Sequence, residues 1–144
     1  AIVYWIGAPY LLLTMALERR RGVLRPLERK IVDSVVMSAS VEVAERLKAQ
    51  LDEINHANRT TAGSTETMLY RIDGIRPRFS SVAPLSVPSG EHRFATVRWK
   101  LPESKERRAT LWALDGRLVS IEFSADVESS LGRVDAIVTQ VRIV

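Results

Sequence analysis

Apolar residues recur with a helical period in the first part of the chain. After Pro26, which suits a first helical turn, four apolar residues share one helix face: Leu27, Ile31, Val35 and Val36. A second stripe follows Ser40, whose hydroxyl can cap a helix: Val43, Leu47, Leu51 and Ile54. The pattern therefore predicts one helix from Pro26 to about Met37. It predicts another from Val41 to the region 55–58, where asparagines favour a turn.

From residue 64 the apolar period changes to two, which is typical of half-buried strands. Strands are predicted over residues 67–72, 95–101, 108–114, 117–123 and 134–144. Asp115-Gly116 predicts a two-residue hairpin turn, because both positions of that turn need positive φ. Residues predicted to share one face are Val119, Ile121 and Phe123 in one strand, and Ile137, Val141 and Ile143 in the last. Residues 75–90 contain three prolines and predict an irregular loop with at most short extended pieces.

These elements predict an α+β fold, with two or three N-terminal helices packed on an antiparallel sheet of four or five strands. Residues 24–144 are long enough to form a single domain with its own core. Trp99 alternates with Arg98 and Lys100, so we expect its ring to point into that core.

Residues 1–23 form a separate apolar segment with a basic flank. Residues 1–17 carry no charge, and Glu18-Arg19-Arg20-Arg21 follows at once. As a helix, residues 1–17 would span about 25 Å, against about 30 Å for a membrane core. A secretory signal is disfavoured because the positive charges follow the apolar run. Three interpretations stay open: a membrane anchor, a buried or dimer-forming interface helix, and a start artefact with Met15 as the true beginning.

The composition excludes several chemistries. The chain has no cysteine, which excludes thiol catalysis and cysteine-bound metals and fits a reducing compartment. The only histidines, His56 and His92, have no partner at a metal-binding spacing, and no phosphate loop or nucleophile elbow is present. We therefore expect no catalytic residue, no cofactor and no metal, and so no enzyme. The expected location is the cytoplasm, with membrane association if residues 1–17 are an anchor.

Basic side chains concentrate in two blocks, residues 18–30 and 71–108, within a net charge of +4. The second block includes four arginines that we expect to bind a partner through the solvent face of the sheet and the 75–90 loop: Arg76, Arg78, Arg93 and Arg98. The expected function is a non-catalytic protein-binding module whose partner is an acidic protein or a second copy of the chain. Alternatives are nucleic-acid binding, which is less favoured, and a cytoplasmic domain tethered to a membrane through residues 1–17.

Two short stretches are similar to a group of known proteins. Leu24-Arg25-Pro26-Leu27-Glu28, followed by Ile31-Val32-Asp33, resembles the L-x-P-L-E … I-L-D opening of small uncharacterised bacterial α+β proteins. Residues 111–122, which contain Asp115-Gly116, resemble the L-F-V-x-D-G-x-L-x-x-L-E hairpin of the same group. The resemblance covers residues 24–125 and implies a bacterial interaction or immunity-type domain that begins near Leu24. It implies no settled activity.

Overall fold

The computed structural model describes residues 23–59, 65–73, 76–78 and 83–144, with the backbone alone at residues 72, 73 and 76–78. The interpretations of residues 1–22 and the predicted turn at Gly74 lie outside this part of the chain. The described elements are α1 (Pro26–Ser38), α2 (Val41–Glu53), β1 (His56–Arg59), β2 (Glu66–Asp73), β3 (Arg76–Arg78), β4 (Glu91–Lys100), β5 (Arg107–Leu114), β6 (Arg117–Phe123) and β7 (Ile137–Ile143).

Six strands form an antiparallel sheet in the order β1-β2-β6-β5-β4-β7, and β3 pairs with the last residues of β2. Helices α1 and α2 contact each other and pack on the sheet through β7, β4 and β6. The structure is therefore α+β, as the sequence predicts. The described residues contain two helices, within the predicted number, but the sheet has more strands than the four or five predicted.

The helices use the apolar faces that the sequence indicates. In α1, Leu27, Ile31 and Val35 are fully buried, and in α2, Leu47 is fully buried. The Ser40 hydroxyl caps α2 by accepting a hydrogen bond from the Val43 amide at 3.3 Å.

The end of α2 differs from the prediction. The helix ends at Glu53, and residues 56–59 form β1 instead of the predicted helix terminus and turn. This segment, His-Ala-Asn-Arg, lacks the residues that favour strands. It becomes a strand because β2 offers its backbone as a partner, pairing Tyr70 with His56 and Thr67 with Arg59.

Irregularities in strand pairing change which apolar residues reach the core. Where β5 pairs with β6, the register shifts between Trp112 and Ala113, so that Ala113 lies opposite Leu118. Leu118 is consequently buried, whereas Val119, which the alternation placed with Ile121 and Phe123, is only half-buried.

A similar shift changes the last strand. Between β4 and β7 the register moves at Trp99, which lies opposite Val138. Val138 packs against the core, and Ile137, which the sequence placed with Val141 and Ile143, is 49% exposed. Core-facing residues recur at every second position only where the pairing between neighbouring strands is regular.

The turn between β5 and β6 confirms the prediction for Asp115-Gly116. Both residues have positive φ, 50° for Asp115 and 78° for Gly116. The turn also anchors the irregular segment 83–90. The Leu85 amide donates to the Gly116 carbonyl oxygen at 2.8 Å, and the Gly90 amide donates to Asp115 Oδ1 at 2.7 Å.

A buried ion pair, absent from the sequence predictions, joins α1 to the far edge of the sheet. The Glu28 side chain is fully buried and accepts hydrogen bonds from Arg59 Nε at 3.0 Å and the Arg25 amide at 2.8 Å. It also accepts from the Thr67 hydroxyl. Arg59 donates in addition to the Val23 carbonyl oxygen at 3.0 Å. The pair fixes α1 against β1 and β2, and the several partners of each charged group offset much of the cost of removing the charges from water.

The core closes around Trp99, which is fully buried as predicted. Its ring packs edge-on against Phe123, with 6.4 Å between centroids, and the Arg107 guanidinium lies 5.7 Å from the Trp99 centroid. Arg107, a half-buried residue at the start of β5, thus covers the Trp99 ring.

An exposed arginine connects the β4–β5 loop to the segment before β7. Arg133 donates to Glu103 Oε2 at 3.1 Å and to Asp135 Oδ1 at 2.7 Å. These hydrogen bonds lower the pKa of both carboxyl groups. The contribution of these two ion pairs to folding stability is therefore fully present above the ordinary carboxyl pKa. It is lost as the pH falls through the lowered pKa and the carboxylates become protonated.

We expect an NMR titration to find the pKa of Glu103 and of Asp135 below that of an unpaired carboxyl. Arg133→Gln should raise the pKa of both carboxyl groups together, because it removes the shared donor. A variant with unchanged Glu103 and Asp135 titrations would contradict the arrangement.

Candidate binding surface

The face of the sheet opposite the helices, called the outer face here, carries rows of side chains that cross several strands. One row runs from β7 to β2 through Arg142, Thr96, Thr110, Glu122 and Glu66. The next row runs from β4 to β1 through Arg93, Trp112, Ser120, Met68 and Asn58. Cations thus lie towards β7 and β4, and carboxylates lie towards β6 and β2.

The structure places two of the four predicted partner-binding arginines on this face. Arg93 is exposed, with its guanidinium 5.9 Å from the centroid of the Trp112 ring. Arg98 is 56% exposed at its side chain and lies 3.2 Å from Glu106. Arg76 and Arg78 belong to β3, and their side chains are outside the described part of the structure.

Arg98 belongs to a group, called the basic cluster here, that also contains Arg108 and Arg142. Arg98 lies directly opposite Arg108 and also pairs with Gln140, two residues before Arg142. Within the described residues, neither the Arg108 nor the Arg142 guanidinium has a hydrogen-bonding or ion-pair partner. Like charges directly opposite each other destabilise a strand pair, and the cluster therefore presents largely uncompensated positive charge on the outer face.

Arg108 and Arg142 are not among the site residues predicted from the sequence. Alternation in β5 places Arg108 on the same side as Trp112, which was a usable signal. The position of Arg142 next to Arg98 depends on β7 pairing with β4, and no local pattern reveals that pairing.

On the same outer face, two carboxylates lie opposite each other on β2 and β6. Glu66 of β2 lies directly opposite Glu122 of β6. Among the described residues, neither carboxylate has a hydrogen-bonding partner or an ion pair. Glu91, an exposed residue at the start of β4, likewise has no described partner. The outer face therefore has a basic half around Arg98, Arg108 and Arg142 and an acidic half around the facing pair Glu66 and Glu122.

A cavity opens where β2 and β6 diverge. The two strands pair over only three residues, Glu66–Met68 with 120–122. Beyond them lies a cavity of about 370 Å³, called the β2–β6 cleft here. Its apolar walls come from both strands, from the end of β5 and from the residue after α2: Ile54, Met68, Leu69, Tyr70, Leu114, Leu118 and Val119.

Side chains from α2 maintain the cleft on its helical side. The buried Gln50 accepts a hydrogen bond from the Leu118 amide at 2.9 Å and donates to the Gly116 carbonyl oxygen at 3.1 Å. The Gln50 side chain therefore makes the hydrogen bonds with these two backbone groups that a neighbouring strand would otherwise make. Nearby, Glu53 and Arg71 form an ion pair at 2.8 Å, which neutralises two charges in the lining.

The two histidines have local partners. His56 stacks on Tyr70 with 6.1 Å between ring centroids, and His92 Nε2 lies 2.8 Å from the Ser89 carbonyl oxygen. Across the described ranges, no group of three or more His, Asp or Glu residues has an arrangement that could hold a metal ion.

Comparison with protein-family models, curated proteins and solved structures gave no match to this chain. None of the helices in the described ranges has the length and apolar character needed to cross a membrane.

Proposed function

We propose that this chain is a non-catalytic protein-binding module whose outer face receives an acidic segment of a partner at the basic cluster. One observation carries the proposal: Arg98 and Arg108 lie opposite each other, with Arg142 beside them and little described counter-charge. Guanidinium groups at this spacing can donate paired hydrogen bonds to carboxylates. An acidic partner would also relieve the repulsion within the cluster.

The test uses a fluorescein-labelled octaglutamate peptide as the probe and fluorescence anisotropy as the measurement. We expect salt-sensitive binding to the wild-type chain, because exposed charges are screened beyond about 10 Å at 0.1 M salt. The double variant Arg108→Glu/Arg142→Glu should weaken binding by about tenfold or more, since two attractions become repulsions. Lys48→Glu, on the exposed face of α2, changes a charge away from the sheet and is expected to leave the affinity unchanged.

Arg98→Glu tests the one sequence-predicted arginine that belongs to the cluster. It should weaken peptide binding without lowering the melting temperature, because its exposed ion pair with Glu106 contributes only about 0–1 kcal/mol. Unchanged affinity in this variant and in the double variant would overturn the proposed binding surface.

Nucleic-acid binding is the second candidate, and the Arg93–Trp112 pair favours it. A half-buried tryptophan beside an arginine on a sheet face offers a surface on which a base can stack. An oligothymidylate of matched charge serves as the competing probe. If the oligonucleotide binds more strongly than the peptide, and Trp112→Ala removes this difference, the partner is a nucleic acid and not an acidic protein.

A second copy of the chain is the other protein partner that the surface fits. The acidic half of one copy, Glu66 and Glu122, has the charge to meet the basic cluster of another. Light scattering should then show dimers that dissociate in high salt and in Arg108→Glu/Arg142→Glu. We further propose a cytoplasmic location, which the absence of cysteine supports. Tethering through residues 1–17 would make the full chain sediment with liposomes.

A further inference from the structure

We propose that the β2–β6 cleft is a binding site for a small amphipathic organic cation, meaning an amine or quaternary ammonium on an apolar body. This site is separate from the basic cluster and does not depend on the proposed protein-binding function. The shape of the cleft and the charges in its lining both support this site.

The size and lining of the cleft suit a small molecule. A volume of about 370 Å³ falls within the range of ligand pockets, roughly 300–1,000 Å³. Its walls include Met68, Leu118 and Val119, which would surround the apolar body of the ligand. The Gln50 hydrogen bonds occupy the Leu118 amide, so a ligand need not pair with that strand edge. The cleft therefore favours an apolar molecule over an added peptide strand.

The charged side chains in the lining carry a net charge of −1, with three carboxylates, Glu53, Glu66 and Glu91, against Arg71 and Arg117. Arg71 is paired with Glu53, and Arg117 donates to the Asp115 carbonyl oxygen at 3.4 Å. Glu66 and Glu91 also line the cleft, and within the described part of the chain neither carboxylate has a partner. Glu122, which lies directly opposite Glu66, adds a further negative charge next to the lining. This arrangement attracts a cationic head group and repels an anion.

An aromatic ring also lines the cleft. Tyr70 contributes to the cleft, and its stacking on His56 limits the movement of the ring. Aromatic rings attract ammonium groups and also pack against apolar bodies. Carboxylates and a tyrosine thus provide complementary contacts for one cation.

The test compares three probes that share one apolar body: phenylbutylammonium, phenylbutanol and phenylbutyrate. Isothermal titration calorimetry should show binding of the ammonium, weaker binding of the alcohol, and no measurable binding of the carboxylate. NMR spectra of amide-labelled protein should place the largest shifts at residues 66–71 and 117–120. Failure of the ammonium to bind, or equal affinities for ammonium and carboxylate, would overturn the proposal.

Two variants separate the charge from the cavity. Glu66→Gln/Glu91→Gln should lower the affinity for the ammonium by about tenfold and leave the alcohol unaffected, because the shape of the lining is kept. Val119→Trp, which fills the cleft at a half-buried position, should abolish binding of both. Glu45→Gln on α2 is the matched control and should bind as the wild type does. An ammonium affinity that is the same in all variants would contradict the site.

Discussion

Replacing Glu28 by alanine is expected to lower the free energy of unfolding by about 3–5 kcal/mol, because it leaves the Arg59 guanidinium largely buried without its counter-ion. The Arg25 amide and the Thr67 hydroxyl also lose their acceptor. Since single domains are stable by only about 5–15 kcal/mol, this loss would remove much of the margin. Urea denaturation followed by circular dichroism measures it.

A double-mutant cycle tests whether the effect belongs to the ion pair. Arg59→Met should destabilise the wild type more than it destabilises Glu28→Ala, with a coupling energy of about 1–3 kcal/mol. Glu45→Ala, an exposed carboxylate on α2, should change the free energy of unfolding by less than about 0.5 kcal/mol. Equal costs for Glu28→Ala and Glu45→Ala would show that the buried pair does not hold α1 to the sheet.

Gly116→Ala is expected to cost about 2–4 kcal/mol, for two reasons that add. Gly116 has φ of 78°, where an L side chain is strained. An added Cβ would also lie 2.5 Å from the Leu85 carbonyl oxygen and 2.7 Å from Pro84 Cβ. The segment 83–87 would have to move, which would weaken the hydrogen bond from the Leu85 amide to the Gly116 carbonyl oxygen.

Gly132→Ala is the matched control in the same chain. Gly132 has no positive φ, and a Cβ there would meet nothing within 4 Å. The same substitution should therefore be neutral or stabilise by up to about 1 kcal/mol. Thermal denaturation compares the two variants directly. Similar melting temperatures would indicate that the turn accommodates a side chain and that segment 83–87 is not packed against it.

The residues that carry the resemblance to small bacterial proteins have structural explanations in this chain. Leu24 and Leu27 are buried, and Glu28 forms the ion pair with Arg59. Asp115 and Gly116 make the hairpin turn that anchors segment 83–90. These positions therefore have structural roles in this chain that do not require a shared function. The immunity-type role that the resemblance implies stays a prediction, which the binding experiments on the outer face address.

The candidate site was predictable only in part. Arg98 was selected from a basic block, and alternation correctly placed it on the opposite side from Trp99. Arg142, the facing pair Glu66 and Glu122, and the β2–β6 cleft depend on which strands are neighbours. Those neighbours are distant in sequence, and their pairing is decided by the whole sheet.

The sequence by itself determined the elements whose cause is local. The helix stripe of α1, the Ser40 cap and the Asp115-Gly116 turn each follow from side chains acting within a few residues. Tertiary structure decided β1, the register shifts that bury Leu118 and pack Val138 against the core, and the Glu28–Arg59 pair. It also decided the divergence of β2 and β6. These features depend on contacts between distant segments, because backbone groups and buried charges must find partners wherever the fold brings them together.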